Sequence, residues 1–562
     1  MANILLTPVT LWSGFDDSLP VGEFVLRERE EDGALLRAVR FGGREAGDGR
    51  VNIFALFGRP AGGESCPALL ILPDASLTAD EQLVLRFVRK GYAVLMPDYR
   101  GEWYGCEEHT VYPPSIEYAN KAKAGRHFDH ADPTARETSW YEWTALARYC
   151  IRFLLENCPG AKVGVVGLKA GGDIAFQLAA TSGELACAIP VCAGGWRAYR
   201  GLNKFGEAGE LKMDDERYRF LAGTDAQAYA QHAKCPVLML CSTNDENFDA
   251  DRAFDTFARI NPEMEKTFYF AARYNGCIGN TGLNDLDLFI DKYLKRREVF
   301  IPSPAEIVIE EDGDEELVAR VRFDGNGEVT YCEVFMAEDN ADSASRDWSR
   351  CPLKREEADG AQIFRLDAYE KASRVFAFAK AKYSCGFAVS SKIAVKRIEK
   401  RYANFTHASR VLYSSTAKFD SFVIDRSPEN LLADSFLIGD SLPVRMIQGP
   451  CGIEGIYSSY GLKLYRINDI RFRPKEGALL KFDLYGKEPS TITISVCVRK
   501  GGAEERFSCN LRLSGGEVWS AHVLNAKDFK SAENKSLPGF SEAKYIAFSS
   551  ASEVAINNLL WL

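Results

Sequence analysis

No run in the 562-residue chain approaches the ~20 apolar residues that span a bilayer, so no membrane-spanning helix is expected. Positive charge is not in excess either. Lys and Arg number 69 against 79 Asp and Glu, and the resulting net charge of −10 offers no electrostatic footprint for nucleic acid. Paired cysteine spacing is missing: the 15 cysteines include no C-x-x-C. Many lie in apolar runs, as at Cys187, Cys192, Cys235, Cys241 and Cys497, where a thiol behaves as a small hydrophobe. That usage fits a reducing compartment better than a disulfide framework. Met1-Ala-Asn-Ile-Leu-Leu-Thr-Pro8 has no charged n-region and no long apolar h-region, so no signal peptide and a cytoplasmic location are expected. Low-complexity tracts and internal repeats are absent. What is left is ordinary globular composition, 46% apolar and 26% charged, in a chain long enough for two or three domains.

The most informative segment is 163–176, VGVVGLKAGGDIAF. An apolar strand (Val163 to Val166) runs into a Gly-x-x-x-Gly turn (Gly167, Gly171), and a helix pattern opens at Gly172-Asp173. This is the frame of a nucleophile elbow, where a strained strand-to-helix turn exposes one side chain and glycines flank it because Cβ atoms would clash. The residue at the tip is Lys169 rather than Ser, Cys or Asp, and no G-x-S-x-G occurs elsewhere. An ammonium cannot replace a serine oxygen in acyl transfer without a new mechanism.

The surrounding pattern extends the frame. Ala68-Leu-Leu-Ile-Leu-Pro-Asp74 and Gly91-Tyr-Ala-Val-Leu-Met-Pro-Asp98 flank a helix pattern at 79–90, which makes a parallel βαβ unit. Another strand, Pro236 to Cys241, ends in Ser-Thr-Asn-Asp245. Helix 249–260, strand Lys266–Ala271, loop 273–278 and a last helix near 283–297 follow. Alternating segments in 17–58 add antiparallel strands ahead of the unit. Over roughly 1–298 this order resembles the α/β-hydrolase superfamily, and within it the acetyl xylan esterase and dienelactone hydrolase branch. The resemblance implies a doubly wound, mostly parallel sheet.

It also implies places for a catalytic triad. The acid would be Asp245, whose simpler reading is a cap for helix 249–260. The histidine would stand in Tyr274-Asn-Gly-Cys-Ile-Gly279, where Gly276 or Asn275 occupies the position and no histidine is present. Nucleophile and base are thus both missing. The oxyanion turn, Pro73-Asp74-Ala75-Ser76, lacks glycine. Backbone N–H groups of Ala75 and Ala170 could point inward, but the Asp74 carboxylate would oppose a developing negative charge. A lysine stem spans about the gap an absent imidazole leaves, so an ion pair from Lys169 to Asp245, or failing that to Asp74, is expected. Ser76 and Cys277, served by a lid histidine, are the remaining nucleophile candidates.

The stretch 102–136 has no periodicity and reads as a lid or binding loop; 194–233 reads as a second irregular excursion. His127-Phe-Asp-His130, Asp132, Glu107 and His109 match no dedicated metal spacing, so a polar loop is the reading and no metal or other cofactor is expected. Asp98-Tyr-Arg-Gly101 reads as architecture, and Trp140, Tyr141 and Trp143 as core. Beyond Phe300-Ile-Pro-Ser-Pro the chain alternates at period two, which suggests an immunoglobulin-like β-sandwich over 299–398. After the basic linker Lys396–Tyr402 a second all-β block covers 399–562, with strands read at 470–473, 479–485, 491–498 and 545–548. This block is similar to jelly-roll and carbohydrate-binding modules, with Trp519, Tyr457 and Tyr460 as possible stacking platforms and Trp561 in the core. A hydrolase domain beside a jelly roll is similar to the cocaine esterase and X-Pro dipeptidase layout. Fold alone does not fix function. The residues favour a non-catalytic α/β-hydrolase relative that binds a glycan, another small molecule or a protein, without nucleic acid or membrane. The alternative is an active carboxylic-ester hydrolase using non-standard residues.

Overall fold

The computed structural model describes residues 5–562 apart from 63–65, 104, 207–212, 314, 419, 421, 425–443 and 501–502. The alternating N-terminal segments form antiparallel strands β1 (Phe24–Glu31), β2 (Ala34–Ala46) and β3 (Gly49–Pro60). The continuous apolar runs form β4 (Ala68–Leu72), β5 (Ala93–Pro97), β6 (Val163–Leu168), β7 (Leu185–Val191), β8 (Val237–Ser242) and β9 (Lys266–Ala271). Together they build one nine-stranded sheet in the order β1-β2-β3-β5-β4-β6-β7-β8-β9, parallel from β5 onward. The parallel strands are buried almost throughout because helices cover both faces, which explains why they read as unbroken apolar runs. Edge strand β1 is the opposite case: it is largely exposed and carries Arg-Glu-Arg-Glu-Glu, charge that discourages pairing with another edge.

One face is covered by helices Ser139–Asn157 and Ala170–Thr181, the other by Glu81–Val88 and Gly279–Lys295. Their starts follow from capping. Thr138 accepts the Tyr141 N–H at 3.2 Å and Asp80 accepts the Leu83 N–H at 3.0 Å. Trp140, Tyr141 and Trp143 lie in the core, as read. The irregular reading of 194–233 needs correction. It contains helices Asp215–Thr224 and Ala226–Tyr229, the first capped by Asp214. The elbow helix begins at Ala170, two residues earlier than read, and the last helix at Gly279.

Two β-sandwiches follow. In the first, strands Glu306–Glu311, Leu317–Arg322, Gln362–Arg365 and Leu353–Glu356 form one sheet, and the other is built round Val329–Glu338 paired with Arg374–Tyr383. In the second, Leu480–Tyr485 and Ala555–Trp561 pair in one sheet, and Ser490–Lys500, Ala503–Leu513 and Ala543–Ser550 in the other. Trp561 closes its core and donates its indole N–H to the Phe472 carbonyl at 2.9 Å. The strand read at 470–473 is instead a 3-10 turn, Ile470–Phe472: the Asp469 carboxylate accepts the Arg471 N–H at 2.8 Å, and this local cap outweighs three alternating residues.

The sandwiches are not separate beads. Phe335, Trp348, Phe376 and Phe378 of the first pack into the core beneath the hydrolase-like sheet, with Phe378 stacked edge-on to Phe270 of β9. Beside them Arg346 and Asp251 form a fully buried two-pronged ion pair, Nη2 to Oδ2 at 2.7 Å. Breaking such a pair from one side strands a buried charge. Arg346→Ala is therefore expected to lose about 3–5 kcal/mol in denaturant unfolding, whereas the paired change Arg346→Met with Asp251→Leu loses clearly less.

Candidate functional site

Strand register sets up the site. The order reverses between β4 and β6, the kind of switch point where open α/β sheets place their functional loops. Leu72 of β4 pairs with Gly167 of β6, so the residues just past each strand end, Asp74 and Lys169, emerge side by side. Lys169 is the elbow tip. It has φ 50° and ψ −108°, a region that non-glycine residues avoid, and it is 8% exposed. Two bonds fix this geometry: its N–H donates to Val191 O at 2.8 Å, and its carbonyl accepts from Gly172 N at 2.9 Å.

The backbone N–H that follows the tip is Ala170's, the donor that a working elbow aims at an oxyanion. Here it donates to Asp74 Oδ1 at 3.2 Å. The other oxygen of Asp74 accepts the Ser76 amide at 3.2 Å and the Ser76 hydroxyl. Ser76 O in turn accepts from Arg100 Nη1 at 3.2 Å, and Tyr99 OH donates to Pro73 O at 2.6 Å. Ala75 is buried beside them. The turn read as an oxyanion region thus brings its own anion to the donor. Asp98 and Arg100 are both buried and paired at 3.6 Å, consistent with their architectural reading. Burial pushes Asp98 up to about 7 against the pull of Arg100.

Asp245 follows β8 and is 1% exposed. The helix-cap alternative for it is overturned: Asp249 is the cap of Ala250–Arg259, accepting the Asp251 N–H at 3.0 Å. Asp245 accepts the Asn247 N–H at 2.8 Å. Burial raises its pKa, while the Lys169 ammonium, the Asn247 amide and the Cys192 thiol pull it back. The Lys169 ammonium therefore bears on Asp245 as charge attraction across the site, a looser relation than the direct ion pair expected. Asp74, the fallback partner, is occupied by Ala170 and Ser76. Cys192, at the end of β7, went unnoticed as a site residue because Leu185–Val191 was not read as a strand.

The loop that would hold a histidine is laced to the β8 loop. Gly276, at φ 68°, donates its N–H to Ser242 Oγ at 3.0 Å, and Asn275 Oδ1 accepts the Glu246 N–H at 3.2 Å. Asn244 N donates to Tyr274 O at 3.0 Å, and Arg273 N to Thr243 Oγ1 at 2.8 Å. Cys277 is fully buried and its thiol is no exposed nucleophile. The lid histidines are held elsewhere: His127 by Glu137 O at 2.7 Å, His130 by Asp129 at 2.6 Å and His109 by Cys106 O at 2.9 Å. None of these bonds leads to Ser76. Among the described residues no group of three or more His, Cys, Asp or Glu could hold a metal ion, and no helix is long and apolar enough to cross a membrane.

The tip's strain is separable from its charge. Lys169→Ala keeps a Cβ at positive φ and Lys169→Gly does not. The glycine variant is therefore expected to be more stable than the alanine variant, by about 1 kcal/mol or more in thermal or denaturant unfolding.

In the comparisons with known proteins, no curated protein matches the sequence. Among solved structures, an acetyl xylan esterase from Paenibacillus sp. R4 is similar at 17% identity and a TM-score of 0.39, over 51% of this chain and 92% of that one. Acetyl xylan esterase 1 from Thermoanaerobacterium sp. JW/SL YS485 is similar at 16% identity and a TM-score of 0.34, over 45% of this chain and 83% of that one. An acylaminoacyl peptidase from Pyrococcus horikoshii is similar at 14% and 0.33, over 50% and 51%. The sequence model of the dienelactone hydrolase family matches residues 53–267, the stretch that runs from β3 into β9 and contains the elbow. The N-terminal part of this chain is an α/β-hydrolase-like domain with a mostly parallel sheet, within which residues 53–267 match the dienelactone hydrolase family model, and antiparallel β-sandwich sheets follow it.

Proposed function

We propose that this chain is a non-catalytic relative of the dienelactone hydrolases and acetyl xylan esterases, in which the elbow has become a structural joint, and that its role is to bind a glycan or a protein. The observation that carries the reading is the bond from Ala170 N–H to Asp74 Oδ1. Acyl transfer needs that donor free for the oxyanion and needs no fixed anion beside it. Lys169 at the tip and Asn275-Gly276 in the histidine loop agree with this independently, since nucleophile and base lie in separate segments. We read residues 1–298, 299–398 and 399–562 as three units. The two sandwiches supply the surface on which a glycan or another small molecule could be held, and a chain of this charge has no call for nucleic acid.

Magnitudes make the catalytic half testable. Hydrolases stripped of a triad residue retain roughly 10³–10⁴-fold catalysis over water, which comes from the oxyanion hole and binding. With the hole's donor engaged by Asp74, that residue of activity is expected to be lost too. The full chain should not hydrolyse p-nitrophenyl acetate or acetylated xylan above background, and Lys169→Ser alone should not change this. Saturable turnover together with stoichiometric labelling by a serine-directed phosphonate would contradict the reading. Calorimetry with xylan oligosaccharides tests the glycan half; no heat of binding moves the assignment to a protein partner.

A further inference from the structure

The second sandwich meets the rest of the chain along a seam of ion pairs. Lys463 reaches Glu246 at 2.8 Å, Arg466 reaches Asp347 at 2.8 Å, Lys544 reaches Asp342 at 3.4 Å, and Asp420 meets Arg273 at 2.7 Å. The apolar part of the seam is small, with Val444 and Tyr460 set against Tyr274 and Cys277. Within the seam three carboxyl groups converge. Glu338 ends strand Val329–Glu338 of the first sandwich and Asp347 lies in the loop after it, while Asp469 comes from the second sandwich. All three are at least nine-tenths buried. The cations facing them are Arg466, bonded to Asp347, and Arg471. Asp339 is a further acid facing Glu338, and it is engaged by Ser373 and by the backbone N–H of Arg374. Glu338 Oε1 accepts the Tyr369 N–H at 2.7 Å, and its buried Oε2 has no hydrogen-bond partner among the described residues.

The three buried carboxyls, with Asp339 beside Glu338, face the guanidiniums of Arg466 and Arg471, an excess of negative charge for a buried seam. We propose that a proton retained on the Glu338–Asp347–Asp469 cluster holds the second sandwich against the first, and that losing it loosens this joint. A proton on Glu338 or Asp469 reduces the excess charge and supplies an O–H donor where two carboxylates from different modules would otherwise repel.

The titration behaviour agrees in sign. Burial pushes Glu338 up to about 7 from an ordinary 4.5, with the Tyr369 amide and Arg471 pulling down and Asp339 and Asp347 pushing up. Burial, then Glu338 and Asp347, hold Asp469 well above its ordinary range against the Arg471 amide and Arg466. An undocked module returns these groups to water and to ordinary values. Docking is thus fully supported below the ordinary carboxylate range and weakens as pH rises. For Glu338 the interval from 4.5 to about 7 corresponds to a loss in the docking equilibrium on the order of 10²-fold, with no further loss from this group above it. Asp469 extends the effect to higher pH. Because the seam includes Glu246, Tyr274 and Cys277, loosening it uncovers the rim of the β8 and histidine-position loops.

Hydrogen exchange on the full chain, normalised for intrinsic rates at about pH 5 and about pH 8, tests this. Protection of segment 463–472 is expected to fall at the higher pH while elbow segment 163–181 stays protected. Glu338→Gln, which cannot ionise, is expected to keep 463–472 protected at both. Should that variant lose protection in 163–181 as well, Asp469→Asn is read in its place. Equal protection of 463–472 at both pH values in the wild type, or a glutamine variant that follows the wild type, overturns the proposal.

Discussion

A Cβ on Gly171 would lie 2.2 Å from the Leu72 carbonyl oxygen, and one on Gly167 would lie 2.1 Å from the Gly171 carbonyl oxygen. The elbow helix can rest on β4 and β6 only because both positions are glycine. This close approach is a packing constraint, and it is indifferent to the residue at the tip. It brings the end of β4 against the first turn of the helix and so decides what Asp74 can reach. The elbow is thus needed by the sheet whatever residue stands at its tip, and it holds Lys169 at positive φ.

With the frame fixed, the electrostatics follow. Helix Ala170–Thr181 carries partial positive charge at its start, which favours an anion there. In a hydrolase that anion is transient. Here the Asp74 carboxylate from the neighbouring loop accepts the Ala170 N–H, with Ser76 and Arg100 behind it. Across the site the second carboxyl, Asp245, is buried and faces the Lys169 charge, the Cys192 thiol and a backbone amide.

Much of the fold was legible because burial on both faces writes parallel strands as unbroken apolar runs. Ala68–Leu72, Ala93–Pro97 and Lys266–Ala271 fall where those runs lie. Leu185–Val191 escaped because Ala-Cys-Ala-Ile-Pro is short and weakly apolar. Ile470–Phe472 misled because a cap, which is a side-chain matter, outweighs a three-residue alternation. In the site, the residue types at 74, 169, 245 and 275–276 and their strand-end positions were visible. The bond from Ala170 to Asp74 was not, since it depends on the Leu72–Gly167 register. Nor was the lacing of loop 273–278 to the β8 loop, or the ion pairs that reach it from the sandwiches. Those contacts join residues up to about two hundred positions apart, and no local pattern encodes them.

The loops after β8 and around 273–278 also form a junction with the sandwiches. Asn244 donates to the carbonyls of Ala344 and Arg346, Glu246 receives Lys463, and Asp251 receives Arg346. Occupation of the Ala170 N–H by Asp74 is central to the site, and site-resolved amide exchange at Ala170 reads it directly. A slow wild-type rate unaffected by added acetate, accelerated in Asp74→Ala and slowed again there by acetate, is the predicted result. A fast wild-type Ala170 amide that acetate protects would show an open oxyanion donor and contradict its occupation by Asp74.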